Sequence, residues 1–178
     1  VEEFWQGLFQ EKKRLIMTTS AFIRRANTPW KMRLFLLWKL PAAWFMGVRV
    51  RSCDLEKCVV ELPYGWRAQN PFRSTYFAAQ CAAGELSTGL LALAHLQERP
   101  PVSMLVTHIE ADFRKKVSET LTLTCSDGAL FQATIQKAVK TGESQIFQAE
   151  STGTLPNGQV AVRVKITWSF KTRTQVSS

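Results

Sequence analysis

From Val102 onward, apolar and polar residues alternate. Leu121, Leu123 and Cys125 alternate with Thr120, Thr122 and Thr124, and Phe131, Ala133 and Ile135 repeat the pattern. Val160, Val162, Val164, Ile166, Trp168 and Phe170 alternate with Ala161, Arg163, Lys165, Thr167 and Ser169. A period of two marks strands with one buried face. Ser126-Asp127-Gly128, Thr141-Gly142 and Pro156-Asn157-Gly158 separate them and carry hairpin-type turn chemistry. The expected product is an antiparallel meander with one apolar face.

The first half of the chain is patterned differently. Ser74 to Leu96, STYFAAQCAAGELSTGLLALAHL, is nearly uncharged and rich in helix formers, which predicts a helix apolar on all sides and therefore surrounded by a core. It is the only long apolar helix able to cover the sheet face, and Pro100-Pro101 closes its region. Val48 to Cys53 and Lys57 to Leu62 read as two short strands across the polar turn Asp54-Leu55-Glu56-Lys57. Pro63 to Arg73, PYGWRAQNPFR, reads as irregular loop. A helical region precedes Phe45, with Pro29 near the start of its second helix and Pro41 kinking or ending it. Phe4, Trp5, Leu8, Phe9 and Ile16 share one face of an expected amphipathic helix that docks on the domain or on a partner. Alternatively, Met17 is the native start and the preceding residues are not native. A twisted sheet curled around one helix, of the α+β class, is the economical architecture.

With 178 residues the chain suits one domain with a full hydrophobic core. Cys53, Cys58, Cys81 and Cys125 form no CxxC and have no His at ligand spacing, so no metal site or redox motif is expected; they read as reduced thiols of a cytoplasmic protein. Cys53 and Cys58 face each other across the predicted hairpin, but a disulfide there is the minor expectation. Leu34 to Val48 is interrupted by Lys39 and Pro41 and is too short for a transmembrane segment, and the acidic start of the chain is unlike a secretory signal. The net charge of +9 favours anionic partners: nucleic acid, anionic lipid or a phosphorylated small molecule. No nucleic-acid-binding signature accompanies it, so nucleic acid is not expected.

The candidate chemistry centres on Glu85, the single acidic residue of the apolar segment. Either it pairs with an arginine such as Arg67 or Arg73, or it stays unpaired in a poorly solvated groove with its pKa raised towards the range of a general base or nucleophile. Ser87 and Thr88, within a turn of it, either position a water or bond back to helix carbonyls. His95 and His108 stand isolated.

Taken together, the order of elements and the spacing around Glu85 resemble the hot-dog fold, and in particular the thioesterase superfamily acting on acyl-coenzyme A esters. Members commonly carry Asn or Gln, five residues, His-Gly-Gly, six residues, then Asp or Glu on the central helix. Here the stretch reads Asn70, PFRST, Tyr76-Phe77-Ala78, AQCAAG, Glu85. The spacing matches throughout and Asn70 and Glu85 match in type, whereas the His-Gly-Gly element is replaced. The Asn-Pro loop followed by Ala-Ala-Gly-Glu is similar to an uncharacterised thioesterase-like subgroup with a diverged loop.

The resemblance implies a curled antiparallel sheet wrapped around one long central helix, with residues 1–46 as an N-terminal helical extension, 47–173 as the hot-dog domain and 174–178 as a tail. It also implies an acyl-CoA thioesterase acting as a homodimer or dimer of dimers, with no cofactor. Catalysis would combine Asn70 and the helix-start N–H groups of Phe77 and Ala78 in one chain with Glu85 of its partner. Within one chain Phe77 and Glu85 are offset by about 12 Å along the helix, too far for one thioester carbon to meet both. Tyr76, Ser87 and Thr88 would line the substrate, and Arg114, Lys115 and Lys116 would meet the phosphates of coenzyme A. Phe77 replaces a glycine of the family, so its ring either fills the acyl tunnel or points away while its N–H still serves. The alternative is a non-catalytic hot-dog module that binds acyl chains or a protein partner.

Overall fold

A computed structural model describes residues 18–172; the amphipathic helix expected before Met17 and the C-terminal tail lie outside the described residues. Three short helices come first: α1 (Thr19–Ala26), α2 (Pro29–Lys39) and α3 (Pro41–Phe45). Thr18 caps α1 by accepting from Ala21 N–H at 3.2 Å, and proline at the first position of α2 and of α3 presets the helical φ where no N–H is needed. Strands β1 (Arg49–Cys53) and β2 (Cys58–Leu62) follow, then the long helix α4 (Phe77–Leu96) and strand β3 (Val102–Phe113). The chain continues through β4 (Leu121–Cys125), helix α5 (Gly128–Thr141), β5 (Gln145–Thr154) and β6 (Val160–Thr172).

The six strands form one antiparallel sheet in the order β1-β2-β4-β5-β6-β3. Helix α4 packs against β2, β4, β5 and β6 and against α5, which gives the hot-dog arrangement of one sheet around one central helix. Of all helices among the described residues, α4 alone is long and apolar enough to cross a membrane, and it is the buried core helix. Glycine sets its depth on the sheet: a Cβ at Gly84 would lie 2.9 Å from Val164 Cβ on β6. The helices before β1 join the same hydrophobic cluster through Ala26, Met32, Leu36 and Ala43. Asn27 ties them to the sheet edge, donating from Nδ2 to Cys53 C=O at 2.7 Å and accepting from Cys53 N–H at 2.8 Å.

The meander expected after Val102 is corrected. Phe131, Ala133 and Ile135 belong to α5, and only β5 and β6 form a hairpin in this half. The buried positions of α5 are Gly128, Phe131, Ile135 and Ala138, a spacing of three and four residues that defines one helical face, while Ala133 is exposed. Ser126-Asp127-Gly128 is therefore a helix entry. A Cβ on Gly128 would sit 1.9 Å from Leu55 C=O, so only glycine allows α5 to start against the β1–β2 turn. Gly142, at φ +73°, ends α5 in the left-handed conformation and donates to Ala138 C=O. Pro156-Asn157-Gly158 does make a hairpin turn, with Gly158 at φ +82°.

Cys53 and Cys58 are register partners, as the hairpin reading requires, and all four thiols are free. The hydrogen bond that the Cys58 thiol gives to Cys53, and then burial, raise the Cys58 thiol, and burial pushes Cys125 up to about 12, so both stay protonated.

Candidate functional site

The loop before α4 is organised by Asn70. Its Oδ1 accepts from Phe72 N–H (3.0 Å), Ser74 N–H (3.2 Å) and Ser74 Oγ–H (3.1 Å), and Arg73 adopts φ +56° within the turn so closed. Two backbone bonds then aim the chain into the helix: Thr75 N–H donates to Val117 C=O and Tyr76 N–H to Ala68 C=O, each at 2.7 Å.

Among the described residues no side chain caps α4. Ala79 and Gln80 both donate to Tyr76 C=O, which leaves the Phe77 and Ala78 N–H groups without an acceptor among the described residues. These two donors sit at the positive end of a 20-residue helix and would favour a developing negative charge on oxygen. Phe77 is 56 % exposed; its ring contacts Tyr76 at 4.8 Å between centroids and Phe113, the last residue of β3, at 6.2 Å.

That contact, together with the bond from Thr75 to Val117, holds the turn carrying Arg114, Lys115 and Lys116 beside the helix start. Arg114 is paired with Asp112 at 2.7 Å, whereas Lys115 and Lys116 are exposed and form no ion pair among the described residues.

Glu85 lies two turns along α4, half-buried. No hydrogen bond or ion pair to its carboxylate is found among the described residues, and burial raises its pKa from the ordinary glutamate value. Its Oε1 and the ring of Trp168 both lie 3.5 Å from the point where a Cβ on Gly89 would stand, so the Trp168 ring and a bare stretch of helix lie beside it. The arginine-paired alternative is not realised. Arg67 packs against Gly47, 3.3 Å from the Cβ position there, and Arg73 is exposed on the loop.

Ser87 and Thr88 are fully buried and take the other course left open by the sequence. Ser87 Oγ–H donates to Gly84 C=O (2.8 Å) and meets Ser151 Oγ (2.7 Å); Thr88 Oγ1–H donates to Glu85 C=O (3.0 Å) and accepts from Trp168 Nε1–H (3.1 Å). Both hydroxyls hold the helix directly to the sheet, Ser87 to β5 and Thr88 to β6. His95 is likewise structural, its Nε2 2.9 Å from Leu55 C=O, and burial lowers its pKa.

Sequence reasoning missed four contributors. Gly89 and Trp168 lie beside the carboxylate. Gln80 donates to Thr75 C=O, but its Oε1 and the Thr75 Oγ1 are buried without partners among the described residues, which leaves two unsatisfied polar atoms in the segment that starts α4. Gln80 was the one amide in the apolar segment, and that was the available signal. Among the described residues no cluster of three His, Cys, Asp or Glu is placed to hold a metal ion.

Solved structures share this architecture. A protein of unknown function from Pseudomonas aeruginosa, described as a probable thioesterase, superposes with a TM-score of 0.65 at 16 % identity over 82 % of this chain and 97 % of its own. A thioesterase from Haemophilus influenzae gives 0.63 at 13 % identity over 84 % and 95 %. A protein of unknown function from Chlorobaculum tepidum gives 0.65 at 14 % over 83 % and 99 %. At these identities the likeness establishes the hot-dog fold. No curated protein matches the sequence. The model of one family, described as a domain of unknown function (DUF4442), matches residues 28–170, and the chain belongs to that family.

Proposed function

We propose that the protein hydrolyses an acyl-coenzyme A thioester at a site shared between two subunits. The observation that carries this reading is Glu85: an unpaired carboxylate on the central helix, raised in pKa by burial, on the same helix whose first N–H groups lack acceptors. Thioester hydrolysis needs both parts, donors for the developing oxyanion and a base or nucleophile for the carbonyl carbon. The offset of about 12 Å along the helix separates them within one chain. A second copy brings the partner's carboxylate to the helix start of the first.

The edges of the sheet favour this assembly. β1 is five residues long, bulged, and carries Arg49 and Arg51, features that blunt an edge. β3 is twelve residues long, with Leu105, Val106, Ile109 and Phe113 exposed along an edge whose outer backbone groups no other described strand pairs. Such an edge suits pairing with its own copy about a two-fold axis. In the assembled site Asn70 Nδ2, the Tyr76 hydroxyl and the N–H groups of Phe77 and Ala78 bind the thioester carbonyl. Glu85 of the partner activates water or attacks carbon, and Lys115 and Lys116 take the phosphates of coenzyme A.

A second reading is favoured by one observation: Phe77 places an exposed ring where glycine would let a ligand approach the backbone. In that reading the groove binds an acyl chain or a partner without turnover. Release of free thiol from a panel of acyl-coenzyme A esters, on the native protein and on Glu85→Gln, decides between them. Turnover lost in the variant supports the hydrolase; no turnover on any ester selects the binding module.

A further inference from the structure

Helix α2, PWKMRLFLLWK, is apolar on two opposite faces, yet only one of them meets the core. Met32 and Leu36 are buried, while Trp30 (63 % exposed), Leu34, Leu37 and Trp38 (81 % exposed) form a stripe on the other side. At about 100° per residue these four positions span roughly 100° of the helix surface, with Lys31 on one flank and Arg33 on the other. Large apolar residues cost solubility when they stand exposed in a contiguous row, and such a row marks a contact surface.

The segment that builds this stripe carries charge of one sign only. Between Thr18 and Cys53 the chain has seven basic residues and no acidic one. Among the described residues Arg51 alone of the seven is in an ion pair, with Glu61. Arg24, Arg25 and Lys31 converge with Ala21, Trp30 and Leu34 on a cleft of about 430 Å³ between α1 and α2. A second cavity of about 460 Å³, lined by Arg33, Arg49 and Arg51 together with Pro29, Met32, Leu36 and Val50, opens on the β1 side of α2.

We propose that the α1–α2 face is a docking surface for an anionic phospholipid membrane: Trp30, Leu34, Leu37 and Trp38 insert at the level of the acyl boundary while Arg24, Arg25 and Lys31 hold a headgroup phosphate in the cleft between the helices. A helix with an aromatic and leucine face bordered by cations lies in the plane of the interface, and tryptophan favours that depth because its ring is amphipathic. Guanidinium groups match the geometry of a phosphate, and an anionic surface attracts each unpaired cation. The same charge argues against a second copy as the occupant, because two such faces would bring Arg24, Arg25 and Lys31 of each copy together, and none of the three is in an ion pair among the described residues. The surface is separate from the proposed thioesterase site, so its test does not depend on turnover.

The experiment is flotation of the full chain with vesicles of phosphatidylcholine alone and of phosphatidylcholine with about one-quarter phosphatidylglycerol, at about 0.1 M and about 1 M NaCl. The expected result is at least about tenfold more bound protein on the anionic vesicles, lost at high salt, with the tryptophan emission quenched by brominated acyl chains. Trp30→Ser with Trp38→Ser should abolish quenching, and Arg24→Glu with Arg25→Glu should abolish the preference for anionic lipid; circular dichroism confirms that each variant is folded. These positions are exposed, so the variants should keep the fold. No binding at low salt, binding that the variants leave unchanged, or capture of a single-stranded oligonucleotide in preference to the anionic vesicles would overturn the proposal. So would an altered oligomeric state of the tryptophan variant, which would make the face a contact between copies.

Discussion

The contact between Gly84 and β6 sets where Glu85, the next residue, stands, and it can be tested by giving two glycines of the same helix the same methyl group. An alanine Cβ at position 84 would lie 2.9 Å from Val164 Cβ and 3.1 Å from both of its Cγ atoms. Val164 is fully buried and its Cβ is fixed directly to the backbone of β6, so side-chain rotation cannot relieve the first of these contacts. Overpacking of this kind costs about 2–3 kcal/mol, and the better helix propensity of alanine returns about 1 kcal/mol. The net loss of about 1–2 kcal/mol corresponds to a fall in Tm of about 2–8 °C for a domain of this size. At Gly89 the new Cβ would meet Glu85 Oε1 and Trp168 at 3.5 Å, an ordinary contact, so the propensity gain stands and Tm should rise by about 1–4 °C. Differential scanning calorimetry of the two variants gives the answer directly. Combining Gly84→Ala with Val164→Ala should cost less than the sum of the two single changes by about 1 kcal/mol, because the small residue makes room for the new methyl. A Gly84→Ala protein as stable as Gly89→Ala, or strict additivity in the double variant, would refute the claim that this contact sets the helix depth.

Three further outcomes follow from the geometry. Burial raises the Glu85 pKa, so the folded state prefers the protonated carboxyl; stability relative to Glu85→Gln should fall as pH rises from about 4.3 through the raised folded value, which leaves the Gln variant more stable at neutral pH and equal in acid. Urea unfolding at stepped pH measures this, and a Gln variant that is less stable at pH 7 would reveal a favourable partner for the carboxylate. Lys115→Ala with Lys116→Ala should raise KM for an acyl-coenzyme A several-fold with little change in kcat, since phosphate contacts hold ground and transition states alike; a larger effect on kcat would remove these lysines from that role. Ile109→Lys on the exposed β3 edge should convert a dimer to a monomer by analytical ultracentrifugation and abolish turnover with it, whereas a monomeric native protein would count against the shared site.

Much of this protein was legible in its residues. Alternation over Val160 to Phe170, the turn at Gly158, the hairpin around Asp54 to Lys57 and the uniformly apolar Ser74 to Leu96 each carry a local signal, because period, turn chemistry and composition act over a few residues. Glu85 could be singled out for the same reason: one acid in an apolar helix is visible without coordinates. Tertiary structure decided the rest. Phe131, Ala133 and Ile135 fit a strand and a helix equally over five residues, and only the packing of Phe131, Ile135 and Ala138 on one face, with Gly128 against Leu55, selects the helix. Whether Glu85 met an arginine or stood unpaired depended on where Arg67 and Arg73 fall in space, and the approach of Gly89 and Trp168 beside it joins residues nearly eighty positions apart. The exposed face of α2 is the clearest case. Its sequence is apolar on both sides, and no rule of periodicity tells which side the core will take until β1 and α4 are in place to bury Met32 and Leu36.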